Sequence, residues 1–206
     1  MNGRLILASD SPRRREILLS LECAFDTVSP NVDESPICGE TPIEMAVRLA
    51  CAKALSVSKE NPGRVTLGAD TVVDVDGSAF GKPLDRDDSL RMLRILNGRT
   101  HLVHTGVALA VSDLLLERGV ETTSVTFGSL TDEDIVEFAM SGGGDDKAGA
   151  YAIQGKGALL IERIDGCYYN VVGLPVFRLR RMLERHMPDL LSVNGGGLRY
   201  ANNMGG

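Results

Sequence analysis

Residues 5–18 read Leu5-Ile6-Leu7-Ala8-Ser9-Asp10-Ser11-Pro12-Arg13-Arg14-Arg15-Glu16-Ile17-Leu18. The first four residues are apolar and have the length of a buried strand, and a polar Ser-Asp-Ser turn follows them. Ser11 is a favourable N-cap and Pro12 suits the first helical position, so we expect a helix to begin there. This stretch therefore predicts a strand–turn–helix unit, around which the rest of the chain is interpreted.

The charge at the start of this helix is unusual. Arg13, Arg14 and Arg15 lie in the first turn, where the helix dipole favours carboxylates and each cation costs about 0.3–1 kcal/mol. Free backbone amides with additional arginines suit the binding of a polyanion. A solvated basic face partly balanced by Glu16 is the other interpretation, and this stretch alone leaves both open.

Composition limits the class of protein. The 206 residues suit one domain, which we assign to residues 1–188, with 189–206 as a flexible tail. A net charge of −6 and an aromatic content of 4% argue against a nucleic-acid-binding module. No apolar run approaches the roughly 18 residues of a membrane span. The four cysteines are scattered without a CxxC pair, which favours a reducing cytoplasm over a disulfide framework or a zinc site.

A second helix is predicted from a capping-box pattern. Thr41-Pro42-Ile43-Glu44 places proline at the first helical position and glutamate at the third. The apolar stripe of this helix is predicted to consist of Met45, Leu49, Ala52 and Leu55. Lys53 falls off that stripe, so by itself it is interpreted as a solvated lysine.

An acidic residue interrupts the next apolar run, residues 65–73. Asp70 lies within this predicted buried strand, and Asp76-Gly77 then predicts a hairpin turn. An ionised carboxylate in a buried strand needs a cation, a metal or a catalytic role. A structural ion pair would also explain Asp70, and the strand pattern leaves both explanations open.

The remaining segments predict further strands and helices in alternation. Asp85 is predicted to cap a helix ending near Leu96, and residues 102–111 and 120–127 predict two long paired strands. His101 and His104 are at an odd spacing in the first of these, so they face opposite sides and a shared metal is disfavoured. A helix from Thr131, a strand over 158–164 and a helix from near Pro175 complete a mixed sheet flanked by helices.

Seven short blocks, taken in order, resemble the Maf family of septum-formation-inhibitor-like nucleoside triphosphate pyrophosphatases. No block is specific alone, but the ordered set is, and it extends from about residue 4 to residue 185. The blocks are Ser9-x-Ser11-Pro12-Arg13-Arg14, Asp33-Glu34, Gly68-Ala69-Asp70-Thr71, Gly81-Lys82-Pro83, Gly98-Arg99-Thr100, Asp146 to Tyr151 with Gln154-Gly155, and Asn170 to Pro175.

The resemblance implies an α/β fold like that of inosine triphosphate pyrophosphatases, with a cleft between two lobes. It implies cleavage of a nucleoside triphosphate between its α and β phosphates, giving a monophosphate and pyrophosphate, with Mg²⁺ or Mn²⁺ as cofactor. One branch of the family, which acts on dTTP and UTP, is marked by the residues found here as Arg13, Thr71 and Gln154. The sequence departs from the family pattern at Gly143-Gly144-Asp145.

The resemblance also implies roles for individual residues. It favours Asp70 as proton acceptor, with Glu34 as a second oxygen ligand or base, and leaves open which carboxylate acts as base and which as metal ligand. The predicted catalytic set is Asp70, Glu34, Lys53 and Lys82, the predicted metal ligands are Glu34 and Asp70, and the predicted substrate-binding set is Ser9, Arg13, Thr71 and Gln154.

The resemblance also leaves an alternative function and alternative substrates open. A nucleotide-binding regulator of cell division without turnover is the alternative function, and modified pyrimidine nucleotides are alternative substrates. The family commonly forms dimers, which implies a homodimer; no nucleic-acid or membrane partner is expected.

Overall fold

A computed structural model describes residues 4–191. Its strands are β1 Leu5–Ala8, β2 Phe25–Val28, β3 Thr66–Val75, β4 Ser78–Phe80, β5 Thr100–Val111, β6 Leu114–Phe127 and β7 Ile161–Asp165. Its helices are α1 Pro12–Ser20, α2 Pro42–Glu60, α3 Arg86–Leu96, α4 Asp132–Met140, α5 Tyr168–Val172 and α6 Val176–His186, with two 3₁₀ helices, Ala148–Ala150 and Gly155–Leu160.

The strands form one mixed sheet of seven strands. The order is β2-β1-β3-β5-β6-β7, with β4 paired to β3. β1 is parallel to both β2 and β3, and the neighbours from β3 to β7 are antiparallel. The predicted mixed sheet with flanking helices is confirmed, and so is the strand–turn–helix unit, with α1 starting at Pro12.

Helix α2 covers one face of the sheet at very short range. A Cβ atom on Gly68 would lie 2.2 Å from the carbonyl oxygen of Ala50, and one on Gly106 would lie 2.2 Å from that of Ala46. Only glycine in the strands lets the helix backbone approach so closely. The buried face of α2 therefore consists of small residues together with a lysine, including Ala46, Leu49, Ala50, Lys53, Ala54 and Val57.

The predicted stripe of α2 was wrong for this reason at three of its four positions, while Leu49 is buried as predicted. Met45, Ala52 and Leu55 are only half-buried, and Lys53, interpreted as solvated, is 6% exposed. A prediction from hydrophobic periodicity gives most weight to large apolar side chains. The glycines of the sheet instead favour packing against the face of the helix that carries the smallest side chains. The capping box itself is confirmed by reciprocal bonds between Thr41 and Glu44.

Gly106→Ala is expected to destabilise the fold by about 1–3 kcal/mol or more, because its methyl group would overlap the backbone of α2. The measurement is the free energy of unfolding in urea. Gly128→Ala is the matched control, since a Cβ there meets nothing within 4 Å. Equal stability of the two variants would contradict the close helix–sheet contact.

The other face of the sheet carries two apolar clusters. The first contains residues of β1, α1 and α6, including Leu5, Leu18, Leu179 and Met182. The second contains residues of α3, α4 and the far ends of β3 and β5, including Val73, Met92, Val103 and Phe138. Along β3 and β5, the polar Thr71 and Thr105 fall between the residues of the two clusters. The two clusters are the cores of two lobes.

Some predicted boundaries differ from the observed ones. β6 begins at Leu114, because Ser112 and Asp113 form a tight turn in the left-handed region, with φ of 49° and 65°, without the glycine that usually signals it. The strand expected over 158–164 begins only at Ile161, after a 3₁₀ helix. Ser11 is the N-cap residue of α1, but its side chain makes no capping bond.

The two histidines of β5 have separate partners. His101 Nε2 lies 2.7 Å from the hydroxyl of Tyr151, and His104 contacts Asp74 and Thr122 at 3.1 and 2.9 Å. Burial lowers the pKa of His101 to about 4. His101 is therefore neutral at pH 7, and neither histidine contacts the other.

The domain boundary at residue 188 stays a prediction. Leu190 and Leu191 still pack against the first apolar cluster, and the rest of the expected tail, 192–206, lies outside the described residues. Within residues 4–191, no helix has the length and hydropathy to cross a membrane.

Candidate active site

A cavity of about 560 Å³ opens between the two lobes. Its walls come from the turn after β1, the start of α1, the middle of β3, the β3–β4 hairpin and the segment around the first 3₁₀ helix. All eight residues predicted for the site line it: Ser9, Arg13, Glu34, Lys53, Asp70, Thr71, Lys82 and Gln154. The structure thus brings together residues that are far apart in sequence, while the role of each stays a prediction.

A buried lysine joins the two predicted acids. Lys53 Nζ lies 2.6 Å from Asp70 Oδ1 and 2.8 Å from Glu34 Oε1. Asp70 is 8% exposed, whereas the Glu34 side chain is more than half exposed. Burial raises the pKa of Asp70, and the nearby charges of Lys53 and then Arg14 oppose that rise. The ammonium therefore holds both carboxylates at one side of the cavity and keeps a buried acid available for ionisation.

Arg14 is a site residue that the sequence-based assignment missed. It is buried, and its guanidinium donates to Gly173 O at 2.8 Å, Ser9 Oγ at 3.1 Å and Thr71 Oγ1 at 3.0 Å. All three acceptors are neutral, so in the described part of the chain the buried cation has no ion-pair partner. The run of three arginines at the start of the helix indicated a basic site, but it did not indicate which of the three arginines is buried.

Further cations line the cavity. Arg13 and Lys82 were predicted, whereas Lys147, next to the first 3₁₀ helix, belongs to the block from Asp146 to Tyr151 and was not predicted as a site residue. Lys147 also forms an ion pair with Asp146. Together with Arg14 and Lys53, these side chains concentrate positive charge inside a protein of net charge −6. Such a local concentration suits a polyanionic ligand.

The segment that departs from the family pattern, Gly143-Gly144-Asp145, lies beside the cations that line the cavity. A Cβ on Gly144 would lie 1.8 Å from the carbonyl oxygen of Ala150, so the backbone is packed too closely there for any other residue. Asp145 is held by Arg86 at 3.3 Å. The glycine-rich segment is therefore fixed by contacts at both of these positions.

The donor set fits a hard divalent cation. Glu34 and Asp70 each leave a second carboxylate oxygen beside the cavity, and Mg²⁺ is commonly bound by one or two carboxylates together with substrate phosphates. No group of three or more His, Cys, Asp or Glu side chains suited to a metal occurs in the described residues. Phosphate oxygens and water would therefore have to complete the coordination.

Gln154 lies where this cavity meets a second one of about 540 Å³. Both are lined by Arg13, Lys147 and Gln154, and the second extends towards Phe138 and Gly157. Gln154 is exposed and makes no side-chain capping bond at the start of the second 3₁₀ helix. Its amide is thus available to a ligand that spans the two cavities.

Comparison with known proteins identifies the family. The family described as Maf-like protein matches residues 4–186 of the chain. The chain belongs to the Maf-like family.

Two curated proteins are similar to this chain over nearly their whole length. A protein of Symbiobacterium thermophilum named dTTP/UTP pyrophosphatase is 49% identical, over 88% of this chain and 93% of that protein. A Geobacter sulfurreducens protein of the same name is 47% identical, over 89% and 96%. Among solved structures, the Ham1 protein of Coxiella burnetii is 16% identical with a TM-score of 0.44, covering 60% of this chain and 72% of that one.

Proposed function

We propose that this protein is a nucleoside triphosphate pyrophosphatase that hydrolyses dTTP and UTP to the monophosphate and pyrophosphate. The observation that carries the proposal is the pair of carboxylates, Glu34 and Asp70, held on Lys53 in a cavity that is also lined by Arg13, Arg14, Lys82 and Lys147. Such an arrangement combines phosphate binding with a group that can accept a proton. The names of the similar proteins support dTTP and UTP as substrates.

In this mechanism the cations bind the triphosphate and Asp70 acts on water. Arg13, Lys82 and Lys147 neutralise phosphate oxygens, which lowers the cost of the charge that builds up on the leaving pyrophosphate. Water attacks the α-phosphorus, its proton passes to Asp70, and the bond from the α-phosphorus to the bridging oxygen breaks. Lys53 fixes the direction of the Asp70 carboxylate through Oδ1 and leaves Oδ2 to face the water.

A divalent cation, Mg²⁺ or Mn²⁺, completes the proposal. When bound, it would neutralise phosphate charge and act as a Lewis acid. With Asp70 as the base, Glu34 would hold it together with phosphate oxygens; with the two roles exchanged, Asp70 would hold it and Glu34 would accept the proton. We place the reaction in the cytoplasm, which the four unpaired cysteines support.

The products test the proposal. With Mg²⁺ or Mn²⁺ present, dTTP and UTP are expected to yield the monophosphate and pyrophosphate in equal amounts, because cleavage between the α and β phosphates releases one of each. Anion-exchange chromatography of the nucleotides and an enzymatic pyrophosphate assay provide the measurement. A reaction with excess chelator is the control for the metal. Release of orthophosphate and the diphosphate would contradict the proposal, and tight nucleotide binding without turnover would favour the regulator.

A further inference from the structure

Arg14 begins a chain of hydrogen bonds that runs away from the cavity. Its Nη2 donates to Thr71 Oγ1 at 3.0 Å, and Thr71 Oγ1 lies 3.0 Å from Thr105 Oγ1. Thr105 Oγ1 in turn lies 2.9 Å from the backbone carbonyl oxygen of Asn170. A guanidinium can only donate and a carbonyl can only accept. The proton of Thr105 therefore goes to Asn170, and the proton of Thr71 goes to Thr105.

This direction leaves Thr71 without a proton to offer. A hydroxyl oxygen has one proton and two lone pairs. The proton of Thr71 is committed to Thr105 and one lone pair to Arg14, so one lone pair remains. Thr71 is half-buried and lines the cavity. It can accept a hydrogen bond from a ligand there, but it cannot give one.

Ser9 has the opposite hydrogen-bonding capacity. Its Oγ accepts from Arg14 Nη1 at 3.1 Å and from the backbone N–H of Ser11 at 3.2 Å. Both lone pairs are then used, and in the part of the chain that the structure describes its proton has no partner. Ser9 also lines the cavity, so it can donate to a ligand there and accept nothing more.

We propose that Arg14 and Thr105 are positioning residues. They make the hydroxyl of Ser9 a donor and the hydroxyl of Thr71 an acceptor towards a ligand in the cavity. Ser9 donates to a phosphate oxygen of the bound nucleotide, and Thr71 accepts the hydrogen of the 3′-hydroxyl of its sugar. The proposal rests on the proposed function. Because phosphate oxygens only accept, they are drawn to Ser9 and excluded from Thr71, and this fixes which way round the nucleotide lies.

The test measures affinity without turnover. Calorimetry gives the Kd of α,β-methylene-UTP and of its N3-methyl and 3′-fluoro-3′-deoxy forms, each of which lacks one donor. For the native protein, the 3′-fluoro form, which lacks the hydrogen received by Thr71 and turns an electronegative atom towards its lone pair, is expected to bind about tenfold more weakly than the parent. In Thr105→Val the proton of Thr71 is released and the hydroxyl can turn its hydrogen towards the fluorine, so that difference shrinks to about twofold or less. Thr105→Ser keeps the accepting oxygen and restores the tenfold difference.

Two controls make the outcome decisive. The N3-methyl form, altered at the edge that faces Gln154, is expected to lose the same factor in the native protein and in Thr105→Val, which separates the effect on Thr71 from a general weakening of binding. Thr71→Val removes the accepting oxygen and must also abolish the difference in affinity between the parent and the analogue that lacks the hydrogen received by Thr71. This variant keeps the test valid even if Thr105→Val folds poorly. Survival of the discrimination in Thr71→Val, or losses of equal size for both analogues in every protein, would overturn the proposal. If the protein distinguishes between the analogues but releases no pyrophosphate from UTP, the proposed function alone is contradicted.

Discussion

Asp70→Asn is expected to lower kcat for dTTP and UTP by about 10²-fold or more, because asparagine keeps the shape of the side chain but cannot accept the proton of the attacking water. In the structure, Asp70 is the buried member of the acid pair, and Lys53 holds its Oδ1 at 2.6 Å. Asparagine would still present an oxygen to that ammonium, so the geometry of the cavity is preserved while the charge is lost. Steady-state release of pyrophosphate provides the measurement.

The same variant is expected to fold at least as stably as the native protein at pH 7. Burial raises the pKa of Asp70 in the folded state, so its ionisation favours the unfolded chain. The contribution of Asp70 to stability is then greatest below its unfolded pKa and is lost as the pH rises through the folded value. Lys53 also retains Glu34 at 2.8 Å, so no buried cation is left unpaired.

Asp74→Asn is the matched control for this loss. Asp74 lies on the same strand, outside the cavity, where it accepts from the backbone of Gly77 at 2.7 Å and contacts His104. Its replacement is expected to leave kcat within about twofold of the native value. A folded Asp70→Asn protein that turns over at near-native rate would remove Asp70 from the mechanism.

The local signals of the sequence predicted local structure well. Thr41 with Glu44, and Thr131 with Asp134, form the capping boxes at the starts of α2 and α4. The Asp76-Gly77 turn joins β3 to β4, with both residues at positive φ. These features depend on neighbours within a few residues, which a single sequence contains in full.

The sequence could not predict how side chains divide between the two faces of α1 and α2. Lys53 lies on the buried face because the sheet offers glycines at Gly68 and Gly106 and an acid at Asp70. Arg14 turns inward because the carbonyl of Gly173, 159 positions later, reaches its guanidinium. Contacts at such separations are set by the tertiary fold and leave no periodic signal in the chain. Periodicity alone placed Lys53 in solvent, and Lys53 entered the predicted catalytic set only because the reaction implied by the family resemblance requires cations around the phosphates.

Gln154 is positioned to recognise the base. Its amide lies at the junction of the two cavities, exposed and without a capping bond. Uracil and thymine present an imide N–H between two carbonyl oxygens, and an amide side chain can pair with this edge through one acceptor and one donor. A carboxylate offers acceptors alone, which suits the two adjacent donors of guanine.

Gln154→Glu is expected to lower kcat/KM for UTP and dTTP by about 5- to 150-fold, because a carboxylate would face a carbonyl oxygen with no proton to offer, at a cost of about 1–3 kcal/mol. The ratio of UTP to GTP turnover is expected to fall, since GTP does not suffer this mismatch. The measurement is kcat/KM for UTP, dTTP and GTP with both proteins under the same conditions.

Two further variants separate base recognition from other effects of the substitution. Gln154→Met has similar length without hydrogen-bonding groups, so it is expected to weaken UTP turnover less than glutamate does, because it removes the pairing without adding a repulsive contact. Ala158→Glu introduces the same charge at an exposed position outside both cavity walls, and the UTP-to-GTP ratio is expected to stay unchanged. If Gln154 only supported the backbone of its loop, Gln154→Glu would slow all three substrates by one common factor. An unchanged ratio in that variant would therefore show that Gln154 does not read the base.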